Sequence, residues 1–118
     1  MSTWDEDIFS AGENADFLDE LAQLEPDEVL GAVNDAVLLA ANDAASGEEL
    51  SNGRAAATIA AIWLGAPFSA GEIADTYPFI RSNPGEVDEQ LAESAAAVLE
   101  AAGEETGSDT DQFVEALS

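Results

Sequence analysis

Ala55-Ala56-Ala57-Thr58-Ile59-Ala60-Ala61-Ile62-Trp63-Leu64 is apolar on nearly every side, with one hydroxyl inside it. It is about half the ~20 residues that a bilayer crossing needs, so it reads as a buried helix rather than a membrane span. A helix without a polar face needs neighbours all round, and this one is expected at the centre of the domain. The reading starts it near Glu49 and ends it at Gly65-Ala66-Pro67, where glycine and proline stop a helix. Its alanines would let neighbouring helices approach closely.

Working toward the N-terminus, Pro26 suits a first helical position, and Asp27 and Glu28 suit the positive end of the helix dipole. Val29, Val33, Val37, Ala40 and Ala44 then recur at spacings of three and four, with Leu30, Leu38 and Leu39 widening the face. This predicts a helix packed on both sides, with Gly47 as its stop. Ser10-Ala11-Gly12-Glu13 has capping-box spacing and predicts an earlier helix start. Phe17, Leu18, Leu21 and Leu24 form its apolar stripe, with Asp16, Asp19, Glu20 and Gln23 between them. Trp4, Ile8 and Phe9 precede that helix and are expected to fold back onto the core rather than form an exposed patch.

Toward the C-terminus, Ser69-Ala70-Gly71-Glu72 repeats the capping spacing and predicts a short helix. Tyr77-Pro78-Phe79-Ile80-Arg81 reads as an extended or turn segment whose aromatics, with Trp63 and Phe68, add the packing area that alanine lacks. Ser82-Asn83-Pro84 predicts another helix start, with Val87, Leu91, Ala95, Val98 and Ala102 on one face and Gly103 as its stop. A final short helix is expected over Ser108 to Leu117, presenting Phe113, Val114 and Leu117. No internal repeat and no useful period-two pattern is present. The fold class is all-α: one domain over residues 1–118, an irregular bundle of five or six helices around the alanine-rich one, with 104–108 linking the last helix.

The chain has 26 Asp and Glu against two Arg, with no Lys and no His, for a net charge of −24. Disorder would fit such a charge, but 47% of the residues are apolar and their spacing is periodic, so a folded chain is expected. No cysteine is present, and Met1-Ser2-Thr3-Trp4-Asp5-Glu6-Asp7 lacks the basic and apolar regions of a signal peptide. The expected compartment is the cytoplasm, with no membrane contact.

Without His, Cys or Lys, the usual acid–base, nucleophilic and Schiff-base groups are missing. Carboxylate pairs such as Asp5/Asp7 and Asp109/Asp111 arise from composition alone in a chain this acidic. The calcium-loop pattern starting at Asp5 fails, because Phe9 and Ser10 occupy its fifth and sixth positions. No catalytic, cofactor-binding or metal-ligating residue is therefore nominated, no cofactor is expected, and the chain reads as non-enzymatic. Arg54 and Arg81 read as structural ion-pair partners, able to fork onto carboxylates.

A folded chain of this mass has about 6,000 Å² of surface, hence roughly one net negative charge per 250 Å². Duplex DNA carries roughly one per 110 Å² of its surface. Direct nucleic-acid binding is disfavoured; recruitment of a basic protein partner, as by an immunity protein or a DNA mimic, is the leading reading. The alternative is that the acidity is solvation or salt adaptation only, and a weaker alternative is a metal-dependent enzyme built from carboxylates.

Trp4, Phe9, Asp16-Phe17-Leu18-Asp19-Glu20-Leu21 and Ala55-Ala56-Ala57-Thr58-Ile59-Ala60-Ala61, closed by Gly65 and Pro67, together resemble the bacterial family called domain of unknown function 4259. The resemblance runs from Thr3 to about Glu100. Members open with Trp-Gly-x-Gly-x-Phe, continue with Asn-Asp and an Ala-x-Asp-Phe/Trp-Leu helix, and later carry an Ala-rich helix that often contains Glu. Trp4, Phe9 and Asp16 match. Asp5 and Asp7 stand where the family has Gly, Ala11-Gly12 where it has Asn-Asp, and Thr58 where Glu is common. The resemblance implies a compact cytoplasmic helical domain and no assigned reaction.

Overall fold

The computed structural model describes residues 4–41, 46–64, 75, 77, 87–107 and 110–117. Among them lie six helices and no strand: α1 (Trp4–Ser10), α2 (Gly12–Ala22), α3 (Pro26–Ala40), α4 (Gly47–Trp63), α5 (Glu89–Thr106) and α6 (Asp111–Leu117). The all-α expectation holds. α4 is the axis of the bundle and packs against each of the other five helices. Residues 55–63 of α4 are all buried, as its lack of a polar face requires.

α3 and α4 leave no room for a side chain at Gly53. A Cβ on Gly53 would collide with the Ala40 side chain and stand 2.8 Å from the Ala36 carbonyl oxygen. A missing side chain on α4 thus meets the two small residues of α3. Val29, Val33 and Val37 complete the buried face of α3. Leu38 and Leu39 are 42% and 48% exposed, so α3 packs on one side and not on both as its width of apolar sequence suggests.

Several boundaries differ from the sequence expectation. Ser10 does not cap a helix: it ends α1, and the N-cap of α2 is Ala11, in extended conformation with no side-chain cap. Trp4, Ile8 and Phe9 sit at i, i+4 and i+5, one face of a helix, and all three are buried. Burial of that face outweighs the local capping signal. α2 ends at Ala22, which leaves Leu24 outside the helix and exposed.

Gly47 is not a stop either. It is the first residue of α4, after Ser46, whose hydroxyl accepts from the Glu49 N–H while the Glu49 carboxylate accepts from the Ser46 N–H. α3 ends earlier, at Ala40, and it starts at Pro26 as expected, with a capping box between Glu25 and Glu28.

α5 starts behind Asp88, whose carboxylate accepts from the Leu91 N–H at 2.7 Å. It passes through Gly103 and stops at Gly107, the one described glycine with a left-handed backbone (φ 74°), whose N–H returns to the Gly103 carbonyl. Residues 104–106 are therefore the last turn of α5 and not a linker. α6 begins at Asp111, later than expected, and buries Phe113 and Leu117 while Val114 is half-buried. The helix starts read at Ser69 and Ser82, and Ala44, Phe68, Phe79 and Arg81, lie outside the described residues.

Gly53→Ala is expected to cost ~1–3 kcal/mol, the usual penalty of overpacking a closed contact. Gly31→Ala on the open face of α3, where an added Cβ meets nothing within 4 Å, should instead stabilise by ~0.5–1 kcal/mol. Urea midpoints of the two variants should move in opposite directions.

Candidate functional site

Three polar side chains among the described residues are buried: Asn14, Thr58 and Thr110. Thr58 donates its proton to the Arg54 carbonyl one turn earlier, at 2.8 Å, as a helical threonine can. Its oxygen is then free to accept from Trp4 Nε1, also at 2.8 Å. Indole N–H is a donor only, so Thr58 supplies what the buried Trp4 needs and pins α1 to α4. Asn14 Nδ2 makes a second tie, to the Ile8 carbonyl at 2.7 Å and Ser51 Oγ at 3.0 Å.

Sequence reasoning noticed Thr58 but not its partner, and it missed Asn14. The signal was present: Asn14, Leu18 and Leu21 stand at i, i+4 and i+7, which puts the amide on the buried stripe. Thr110 donates to the Leu99 carbonyl at 3.0 Å and fixes the start of α6 against α5.

Arg54 forms the expected ion pair. Its Nη2 lies 2.6 Å from Glu105 Oε2, with side-chain exposures of 12% and 65%. The pair joins α4 to the last turn of α5, and solvent around Glu105 keeps its contribution to the order of a surface pair, ~0–1 kcal/mol. Tyr77 donates to the Asp19 carboxylate. That hydrogen bond, then burial, then the charges of Asp19 and Asp16 hold the phenol above its ordinary value.

The exposed side of α5 carries a row of carboxylates. Glu89, Glu93, Glu100 and Glu104 stand at i, i+4, i+11 and i+15, which places them within about 60° of one another around the helix. At its C-terminal end the row meets α6 in a groove of about 510 Å³ lined by Glu100, Gly103, Glu104, Thr110 and Asp111. Opposite the row, Leu91, Ala95, Val98, Leu99 and Ala102 are buried, so the carboxylates stand on a packed support.

Elsewhere the acids are spread: Asp7, Glu13, Asp16, Asp19, Glu20, Glu28, Asp35 and Glu48 are exposed on α1 to α4. Asp7 projects from α1, whose helical backbone and buried Phe9 leave no calcium-type loop at Asp5. Asp111 lines the groove; Asp109 lies outside the described residues. Among the described residues no three His, Cys, Asp or Glu side chains converge in a way that could hold a metal ion. No helix of the described residues is long and apolar enough to cross a membrane.

Thr58→Val keeps the shape but leaves the Trp4 N–H buried without an acceptor, a loss of ~1–3 kcal/mol, whereas Thr58→Ser should retain most of the stability. Thermal melts of the two variants separate the hydroxyl from packing. Tyr77 is the only tyrosine, so ultraviolet titration reads a single phenol. Its midpoint should lie above the ordinary ~10 and fall in Asp19→Asn. Because the folded value is the raised one, the Tyr77 contribution to stability is fully present below pH ~10 and is lost as pH rises through the folded value.

Comparison with known proteins gives one family. No curated protein and no solved structure matches the chain. The family model described as Domain of unknown function (DUF4259) matches residues 2–116, nearly the whole sequence. The match takes in the Trp4–Thr58 pair, the stripe of α2 and the apolar α4, and the chain belongs to the DUF4259 family.

Proposed function

We propose that this chain is a non-enzymatic binding module whose α5–α6 carboxylate surface meets a basic protein partner. The observation that carries this reading is the row Glu89, Glu93, Glu100 and Glu104 running into the groove at Asp111. The helix backbone that carries these carboxylates is already ordered, and a concave acidic surface steers a cationic partner toward it. The surface repels nucleic acid, since 6188 Å² shared among 24 net negative charges is about 260 Å² per charge. A cytoplasmic setting fits a chain without cysteine.

A second reading is favoured by the acids on α1 to α4, which lie away from the groove: the charge serves solvation or salt adaptation alone. It requires self-repulsion that salt relieves. Raising salt from ~0.1 to ~1 M shortens the screening length from ~10 to ~3 Å and should raise the melting temperature; a flat response counts against this second reading.

The partner reading is tested by two triple variants with equal charge change, assayed against a lysine- and arginine-rich peptide. Glu93→Gln, Glu100→Gln and Glu104→Gln together should weaken binding about tenfold, from three pairs worth ~0.5 kcal/mol each. Glu13→Gln, Glu20→Gln and Asp35→Asn together should leave it nearly unchanged. Equal losses in the two would defeat the reading.

A further inference from the structure

The junction of α1, α2 and α4 contains a buried oxygen that no donor among the described residues satisfies. Asn14 is 0% exposed, and its Nδ2 gives its two protons to the Ile8 carbonyl at 2.7 Å and Ser51 Oγ at 3.0 Å. The Ile8 carbonyl can only accept. The amide therefore cannot be turned over without setting two lone-pair-bearing oxygens against each other. This orientation leaves Asn14 Oδ1 buried, with no donor to it among the described residues.

No neighbouring group among the described residues donates to it. Asn52, which follows Ser51 in α4, has a second buried amide oxygen with no donor among the described residues. The Ile8 carbonyl and Ser51 Oγ, which already accept from Asn14, are oxygens too. An amide oxygen can only accept, so the group that would complete Asn14 Oδ1 is a small donor. Buried carbonyl oxygens in folded proteins are paired, and where the chain supplies no donor an ordered water commonly does.

We propose that this junction is a binding site for one internal water molecule, which donates to Asn14 Oδ1 and joins α2 to the first turns of α4. The water is a structural ligand of the interior and is independent of the α5–α6 surface.

The wild-type protein decides this by oxygen-17 magnetic relaxation dispersion, which detects water held longer than the tumbling time of the molecule. A long-lived water signal is expected in wild type, smaller by one molecule in Asn14→Leu, and the same in sodium, potassium and tetramethylammonium chloride. A high-resolution crystal structure should show a peak at ~2.7–3.2 Å from Asn14 Oδ1. Should Asn14→Leu fail to fold, the wild-type signal and that peak carry the test. Absence of long-lived water, a protein donor on Oδ1, or a signal that sodium or potassium abolishes, as a bound cation would, overturns the proposal.

Discussion

The structure depends on one constraint: α4 has no polar face after Arg54, so nothing but protein can surround it. Five helices do so, and the small residues of α4 set how closely they come. At Gly53 the contact with Ala36 and Ala40 leaves no room for a side chain. Alanine buries little area, so α4 itself adds only Ile59, Ile62 and Trp63, and the other large side chains that close the core come from the partners: Trp4, Phe9, Leu18 and Leu21 from α1 and α2, the valines of α3, Leu91 and Leu99 from α5 and Phe113 from α6. The central helix supplies shape and its neighbours supply much of the hydrophobic area.

The same constraint sorts the polar groups. With the interior filled from α4 outward, the described carboxylates stand at or near the surface, and the few buried polar side chains serve as pegs between helices. Thr58 holds Trp4, Asn14 holds the end of α1 to α4, and Thr110 holds α6 to α5. Arg54 reaches outward from the base of α4 to Glu105. Charge thus becomes a property of the shell, and its arrangement follows from which helix faces remain uncovered.

Much of the fold was legible in the sequence because it rests on periodicity. The apolar run of α4, the valine spacing of α3 after Pro26, and Leu91, Ala95, Val98 and Ala102 of α5 were all readable. What misled was local punctuation. Ser10 has capping spacing, yet the paired burial of Trp4, Ile8 and Phe9 makes residues 4–10 a helix of their own. Gly47 and Gly103 resemble stops, but a glycine ends a helix only where the backbone turns left-handed, and that happens at Gly107. The Gly103 reading also hid the candidate surface: it cut Glu104 from the helix, and the carboxylate row is visible only once α5 runs to Thr106. Asn14 was obscured because a single polar residue among acids reads as surface unless its register with Leu18 and Leu21 is followed.

In the proposed function, the acidity of this DUF4259 domain is organised for recognition on α5 and α6, on a bundle whose remaining charge is solvated. The most direct measurement is an amide chemical-shift titration of the labelled protein with a lysine- and arginine-rich peptide. Saturable shifts concentrated at residues 89–115 are expected, with α1 to α3 little changed. Non-saturating shifts of similar size across all six helices would contradict it.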